Sequence, residues 1–418
     1  MIGQTKAHDE KNARRGYQLA CWLEAKPRMP PPHDRDRRIA PRPRQWYLRM
    51  RHEAGGTRAG SQPCCPWEVH MKATMHRFIT LTLLLATAHV ARALPPPSAK
   101  PTVNLSIYGH VSSVIWVAKD LAPVLDYWEK LGLKGIERTG VTEFTGLIYK
   151  GQPAPTTAKS AFGHIGGVLL EWIQPVTGTN IYTDFLKRHG DGVLALGFAV
   201  KSDQELEQQI EYFRSKGVDA LERTQWKGTK GTGHGVYFDT APKGGGLTIA
   251  LYHDPDGPAP AQAHLQENDY PFNRIIQYAF VVRNVRRVGA YWQSLGFGGM
   301  PVDHSVSVNR FYRGQPGKFE MDLGWGRFGD MPFEWVQSTL GPNLYEEYLK
   351  GHGEGVHHLG ITVQDMDADV KMLEAKGAPP AMWGGWNSPE SKGRFTYLDT
   401  DPHGGVTIEL LWDQPMGK

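Results

Sequence analysis

The chain has 418 residues, of which 40% are hydrophobic and 22% are charged. This length allows two or three domains, and the composition is that of an ordinary globular protein, which excludes collagen and wholesale disorder. No apolar run reaches the roughly 18 to 20 residues that span a bilayer, so a multi-pass membrane protein is excluded as well.

The net charge of +4 is unevenly distributed along the chain. Residues 1–93 hold 17 Lys and Arg against 7 Asp and Glu, whereas residues 94–418 hold 30 against 36 and carry a net charge of −6. The larger part therefore lacks the clustered positive charge of a nucleic-acid-binding surface. It also lacks cysteine, since Cys21, Cys64 and Cys65 all lie in the first 70 residues, which excludes a disulfide, a thiolate zinc site and a cysteine nucleophile there.

The first 93 residues resemble no folded domain. Residues 1–70 contain 11 Arg and 8 Pro without a sustained apolar period, which predicts disorder. Residues 71–93 have the pattern of a signal peptide: a basic start, the apolar run 78–90 and a small-x-small cleavage signal, Ala91-Arg92-Ala93. Because a signal peptide is read at an N-terminus, we interpret residues 1–70 as not translated in the native protein. We expect an exported chain, periplasmic or secreted, that begins near Leu94 and has no membrane segment after cleavage.

The rest of the chain is an internal duplication. LIYKGQP (147–153) matches RFYRGQP (310–316), and LLEWIQP (169–175) matches PFEWVQS (332–338). Longer matches join 181–200 to 344–363 and 236–254 to 396–413. These matches predict two homologous domains, 105–254 and 272–413, joined by a linker over 255–271.

Each half shows a second, weaker repetition of one strand, one helix and three strands. The first helix is predicted to begin after the capping residue Asp120 and to end at Gly132, with its apolar residues at helical spacing. Further helices are predicted before Gly217, over 285–295 and over 366–376. The expected fold class is α+β, with two βαβββ modules in each half.

This pattern, with the phrases EWIQP, EWVQ, GVHHLG and TIELL, resembles the vicinal-oxygen-chelate superfamily, which includes glyoxalases, bleomycin-resistance proteins and extradiol dioxygenases. The resemblance covers 105–413. It implies that paired modules enclose a metal-binding cleft, with ligands on the first and last strand of each module. In the second half the implied ligand positions are Gln277, Glu334, His358 and Glu409. Strand alternation places His357 on the opposite face from His358.

The corresponding positions in the first half are Ser113, Glu171, Ala195 and Ala250, of which only the glutamate binds metals well. The two halves therefore predict one active domain, the second, and one degenerate partner. The cofactor expected is one divalent ion: zinc, nickel, cobalt, manganese or iron.

A set of one amide, one imidazole and two carboxylates is similar to that of glyoxalase I. The resemblance implies isomerase, epimerase or lyase chemistry through a metal-stabilised enolate, with Glu409 and Glu334 as the acid/base groups. A ring-cleaving dioxygenase is the alternative, although it normally needs a second histidine, for which His357, His304 and His403 are candidates. A non-catalytic binding or resistance protein is a third possibility.

The expected partner is a small carbonyl compound with an aromatic or apolar body. The glycine-rich segment AMWGGWNS is interpreted as a loop whose Trp383 and Trp386 line a pocket. Arg313 and Arg394 are candidates for holding a substrate carboxylate.

Overall fold

The computed structural model of the protein describes residues 103–257, 267–328, 331–387 and 391–415. The predictions for residues 1–70 and for the signal peptide at 71–93 lie outside these ranges. All of the described residues belong to one compact unit. The division into domains at 105–254 and 272–413 stays a prediction, because the largest hydrophobic core contains residues of both halves. In the described ranges, no helix is both long and apolar enough to cross a membrane.

Two ten-stranded sheets, one in each half, form the framework. The strands of the first sheet are β1 (Ser113–Val117), β2 (Glu137–Phe144), β3 (Ile148–Tyr149), β4 (Gln152–Pro153), β5 (Thr156–Ile165), β6 (Val168–Thr177), β7 (Gly192–Ala199), β8 (Ala220–Lys227), β9 (Thr232–Phe238) and β10 (Thr248–His253). The strands of the second are β11 (Gln277–Val281), β12 (Val302–Ser305), β13 (Val308–Tyr312), β14 (Gln315–Pro316), β15 (Glu320–Phe328), β16 (Met331–Leu340), β17 (Gly355–Thr362), β18 (Pro380–Asn387), β19 (Ser391–Leu398) and β20 (Thr407–Pro415).

The strand orders of the two sheets are equivalent: β2-β5-β6-β1-β7-β10-β9-β8-β3-β4 and β12-β15-β16-β11-β17-β20-β19-β18-β13-β14. In each sheet the first and last strands of a module pair in parallel, and the two first strands pair antiparallel at the centre. Strands β2 and β8, from different modules of the first sheet, also contact each other, so this sheet curls. The predicted fold class, α+β with tandem βαβββ modules, is confirmed.

The α-helices in the described ranges are α1 (Leu121–Leu131), α2 (Ile181–His189), α3 (Asp203–Ser215), α4 (Val285–Ser294), α5 (Leu344–Gly351), α6 (Met366–Ala375) and the single turn α7 (Asp401–Gly404), and a 3-10 helix (Leu105–Gly109) precedes β1. Helix α1 begins as predicted, since the Asp120 side chain accepts a hydrogen bond from the Ala122 N–H. It ends at Gly132, whose φ of 133° suits glycine. Helices α2 and α5 were not predicted; each connects the two modules of its half.

Reciprocal tryptophan contacts join the two halves. Trp128 of α1 donates its indole N–H to the carbonyl of Gly404 at 3.1 Å, and Trp292 of α4 donates to the carbonyl of Gly244 at 3.2 Å. A Cβ atom added at either glycine would lie within 3 Å of the tryptophan ring that it faces. The duplicated helices therefore pack across the molecule, and the core of one half depends on the other.

A buried glutamate in the first half makes stability depend on pH. Glu222 of β8 accepts a hydrogen bond from the Ile181 N–H at 2.9 Å, but its other oxygen has no partner in the described ranges. Burial raises the pKa of its carboxyl from 4.5 to about 7. The folded state therefore holds this proton more tightly than the unfolded chain, and stability falls as pH rises from 4.5 to about 7.

Glu222→Gln is expected to raise the free energy of unfolding by about 1 to 3 kcal/mol at about pH 8, and to change it much less at about pH 5, where the wild-type carboxyl is protonated in the folded state. Denaturant unfolding at both pH values measures the effect. Glu143→Gln, on the exposed part of β2, is the matched control and should not alter the pH dependence. An equal change at both pH values for Glu222→Gln would contradict the prediction.

Candidate metal centre

The four predicted ligand positions lie on the four central strands of the second sheet. Gln277 is on β11, Glu334 on β16, His358 on β17 and Glu409 on β20. These strands are neighbours in the order β16-β11-β17-β20, because each is the first or last strand of its module. The register places Ala279 between Glu334 and His358, and Gly360 between Gln277 and Glu409. All four side chains therefore extend from the same face of the sheet.

The polar atoms of the four side chains converge on one another. His358 Nε2 lies 3.4 Å from Glu334 Oε2 and 3.2 Å from Glu409 Oε2. The Gln277 amide N–H donates to Glu334 at 2.9 Å and to Glu409 at 3.4 Å. All four residues are at most 8% exposed. The structure thus brings the predicted set together in one buried cluster.

Two carboxyl groups in a buried site require a compensating positive charge. Burial raises the pKa of Glu334, and the neighbouring His358 offsets only part of this effect. Burial alone would lower the pKa of His358, but the carboxylates of Glu409 and Glu334 outweigh it and raise that pKa to about 9. The protonated His358 ring therefore supplies the positive charge that compensates the two carboxylates. A divalent metal ion bound among these groups would compensate them with a larger charge.

The donor set suits a divalent ion in type and spacing. Ligand atoms that share one ion at about 2.1 Å lie about 3 to 3.5 Å apart, as the oxygens of Glu334 and Glu409 do from His358 Nε2. In the described ranges, with the side chains as they are placed, no group of three or more His, Cys, Asp and Glu could hold a metal ion. The Gln277 amide nitrogen lies among the other donors, 2.9 Å from Glu334 and 3.4 Å from both His358 and Glu409. The four residues fit a divalent ion once this amide turns its oxygen inward.

Gly360 provides the room for this cluster. A Cβ atom added there would lie 2.8 Å from the Gln277 Cβ and 3.6 Å from Glu409 Oε2. A side chain at this position would therefore push Gln277 away from the carboxylates, since the strands on both sides are fixed by the ladder.

The predicted orientation of His357 was wrong. Strand β17 has a bulge at this residue, because Ala279 lies opposite His358 and Phe280 lies opposite Val356. A bulge interrupts the alternation of side chains on which the prediction depended. His357 Nδ1 lies 2.8 Å from His358 Nδ1, so a hydrogen bond between the rings holds His358 with Nε2 toward the carboxylates.

The other two candidate histidines lie away from the cluster. His304 is on the exposed strand β12, with Nδ1 2.9 Å from Asp322. His403 is in α7, where its ring contacts Tyr127 of the first half. Neither is placed to act as a second imidazole ligand beside His358.

A pair of tyrosines beside the cluster was missed in the sequence. The hydroxyls of Tyr345 and Tyr397 lie 2.9 Å apart, and the Tyr397 ring lies 4.9 Å from the His358 ring. The same pair occurs in the first half, where the hydroxyls of Tyr182 and Tyr237 are 3.2 Å apart. The signal was present, because all four residues lie in the duplicated segments.

The segment AMWGGWNS was wrongly interpreted as a loop, since Trp383 and Trp386 lie in strand β18. Trp386 faces the same side of the sheet as Tyr397 and Glu409 and packs against the hydrophobic cluster beside the site. Trp383 faces the other side and stacks on Phe311 at 5.0 Å. Of the two predicted tryptophans, Trp386 is the one on the side of the candidate site.

Neither predicted arginine reaches the cluster. Arg313 lies in the turn between β13 and β14 and forms ion pairs with Glu347 and Asp399. Arg394 is opposite Trp412 on the helix side of β19 and pairs with Asp367 at 2.7 Å. Both guanidinium groups already have carboxylate partners outside the site.

The chain matches the family model of the Glyoxalase/Bleomycin resistance protein/Dioxygenase superfamily over residues 276–397, a range that includes Gln277, Glu334 and His358. A comparison with curated protein sequences finds no match.

Among solved structures, a triple mutant of 4-hydroxymandelate synthase from Streptomyces coelicolor is similar with a TM-score of 0.51 and 13% identity, over 74% of this chain and 94% of that one. A fusion of a xylose isomerase-like TIM barrel with 4-hydroxyphenylpyruvate dioxygenase has a TM-score of 0.44 and 12% identity, over 77% of this chain and 50% of that one.

The first of these likenesses shows the shared fold, and the family match covers three of the four strands that carry the cluster. Residues 276–397 therefore match the vicinal-oxygen-chelate superfamily, which the duplicated βαβββ modules and strand phrases of the chain also resemble.

Proposed function

We propose that the protein is a metal-dependent enzyme that moves a proton at a carbon next to a carbonyl group, as an isomerase, epimerase or lyase. The observation that carries the proposal is the convergence of two buried carboxyl groups, Glu334 and Glu409, on His358 Nε2 within 3.4 Å. A divalent ion held by Gln277, Glu334, His358 and Glu409 would supply Lewis-acid polarisation of a carbonyl oxygen.

Glu409 is the better candidate for the base. Its closest contacts in the cluster are 3.2 Å to His358 and 3.4 Å to Gln277, whereas Glu334 accepts a 2.9 Å hydrogen bond from the amide. The carboxylate with the longer hydrogen bond from the amide is freer to take a proton from a substrate carbon. In this proposal Glu334 stays in place and returns a proton to the substrate from the side opposite Glu409.

The surroundings favour a substrate with an apolar or aromatic body. Phe395, Tyr397 and Met382 form a buried cluster on the site's side of the sheet, and the partly buried Trp386 packs against it. These side chains exclude water from the carboxyl groups, which strengthens the interactions that hold a proton there. From the predicted signal peptide at 71–93, we propose that the enzyme acts outside the cytosol. This location disfavours a glutathione conjugate as the substrate.

Solvent exchange under anaerobic conditions tests the proposal. The purified, metal-loaded protein is incubated in D₂O with a set of hydroxycarbonyl compounds, and deuterium incorporation at the carbon next to the carbonyl is followed by NMR. We expect exchange without oxygen, because the carboxyl groups need no oxidant to move a proton. Turnover that strictly requires oxygen would make the protein a dioxygenase. Tight binding of a compound with no exchange or conversion would make it a binding protein.

A further inference from the structure

The first half contains a cavity on the face that corresponds to the metal cluster. Its volume is about 400 Å³, and its lining includes Ser113, Glu171 and Ala250, three of the four positions that match the second-half ligands. Ala195, the fourth, is small and fully buried. The short side chains at Ser113 and Ala250 thus leave an open space around a single carboxyl group.

The lining of this cavity is aromatic and acidic. Among the described residues, the side chains around it include the carboxyl groups of Glu171 and Asp254 and no Lys, Arg or His. The aromatic rings around it are those of Phe144, Phe162, Tyr182, Trp226, Tyr237 and Tyr252. Rings present a negative face to a cation, so both parts of the lining favour positive charge.

The carboxyl group of Glu171 is the acidic group in this cavity that lacks a hydrogen-bonding or charged partner among the described residues. This carboxyl group has no hydrogen bond or ion pair with any described residue, and the residues opposite Glu171 on the adjoining strands are Ile115 and Phe162. Burial raises the pKa of its carboxyl to about 7. Its side chain nevertheless keeps some exposure, because it faces the cavity. The hydroxyls of Tyr182 and Tyr237 bond to each other, leaving the carboxyl available to a bound molecule.

We propose that the first-half cavity binds a small organic cation, an amine with an apolar or aromatic body, whose ammonium group pairs with Glu171. A cavity of this size suits a small molecule, and the carboxylate with surrounding rings is the combination that recognises ammonium groups. The half without the ligand set is thus a second binding site. It does not depend on the metal centre.

Calorimetric titration with three probes that share a phenylethyl body tests this site: phenethylamine, 2-phenylethanol and phenylacetate. At about pH 8, where the Glu171 carboxyl is ionised, we expect one amine to bind per chain. The alcohol should bind at least about tenfold more weakly, and the acid should show no binding. Glu171→Gln should weaken amine binding by at least about tenfold.

Glu222→Gln is the matched control, since it makes the same change at a buried glutamate of the same half that does not line the cavity, and amine binding should persist. Thermal unfolding checks that each variant is folded. If Glu171→Gln does not fold, Ala250→Leu provides the test by filling the cavity, and it should also remove amine binding. Equal binding of the alcohol and the amine, or amine binding unchanged in Glu171→Gln, would overturn the proposal.

Discussion

Glu409→Gln is expected to lower turnover by at least about a hundredfold while the protein keeps most of its metal. The amide retains an oxygen ligand of nearly the same shape but cannot accept a proton from carbon at neutral pH. The substitution therefore separates the role of base from the role of ligand. Deuterium exchange into the substrate and metal content are measured on the same samples.

Glu374→Gln, on the exposed side of α6, is the matched control and should retain both activity and metal. Full activity in Glu409→Gln would remove Glu409 from the catalytic step. Loss of metal together with activity would show that the carboxylate acts mainly as a ligand. In that case Glu334 would become the first candidate for the base.

One equivalent of metal is expected per chain, and His358→Ala should weaken its binding by more than about a hundredfold. This histidine is the imidazole on which both carboxylates converge, and its loss leaves two buried carboxyl groups without their nitrogen partner. Glu171→Ala should change metal binding little, because among the described residues no imidazole lines the cavity around that carboxyl. Equilibrium dialysis with elemental analysis measures stoichiometry and affinity.

Two outcomes would contradict this assignment. Two equivalents of metal in the wild-type protein would mean that the first half also binds an ion, with ligands other than Ser113, Ala195 and Ala250. Unchanged affinity in His358→Ala would place the metal elsewhere. Because the measurement does not depend on turnover, it tests the metal centre separately from the proposed reaction.

The duplicated phrases determined the fold at the level of modules. Local signals such as the cap at Asp120 and the stop at Gly132 are readable because they involve neighbouring residues only. Alternation along the strands put Gln277, Glu334, His358 and Glu409 on one face, and the structure has them there. Helices α2 and α5 were not recognised in the sequence, since each is short and connects two stronger patterns.

The tertiary structure determined side-chain contacts that the alternation of residues along a strand could not predict. The bulge in β17 brings His357 into contact with His358, although strict alternation puts the two residues on opposite faces. Pairing of β18 with β19 turns Trp383 away from the site and Trp386 toward it. The ion pairs of Arg313 and Arg394 depend on carboxylates that lie 27 or more residues away in the chain.

The open cavity around Glu171 is also a result of packing between distant parts of the chain. The residue types at Ser113, Ala195 and Ala250 showed in the sequence that ligands were missing, but not whether the space had closed. Whether such a space closes depends on how the curled sheet and the tyrosine pair of Tyr182 and Tyr237 pack around it. Sequence periodicity thus determined which side chains share a face. Long-range contacts, which periodicity does not encode, determined what those side chains meet.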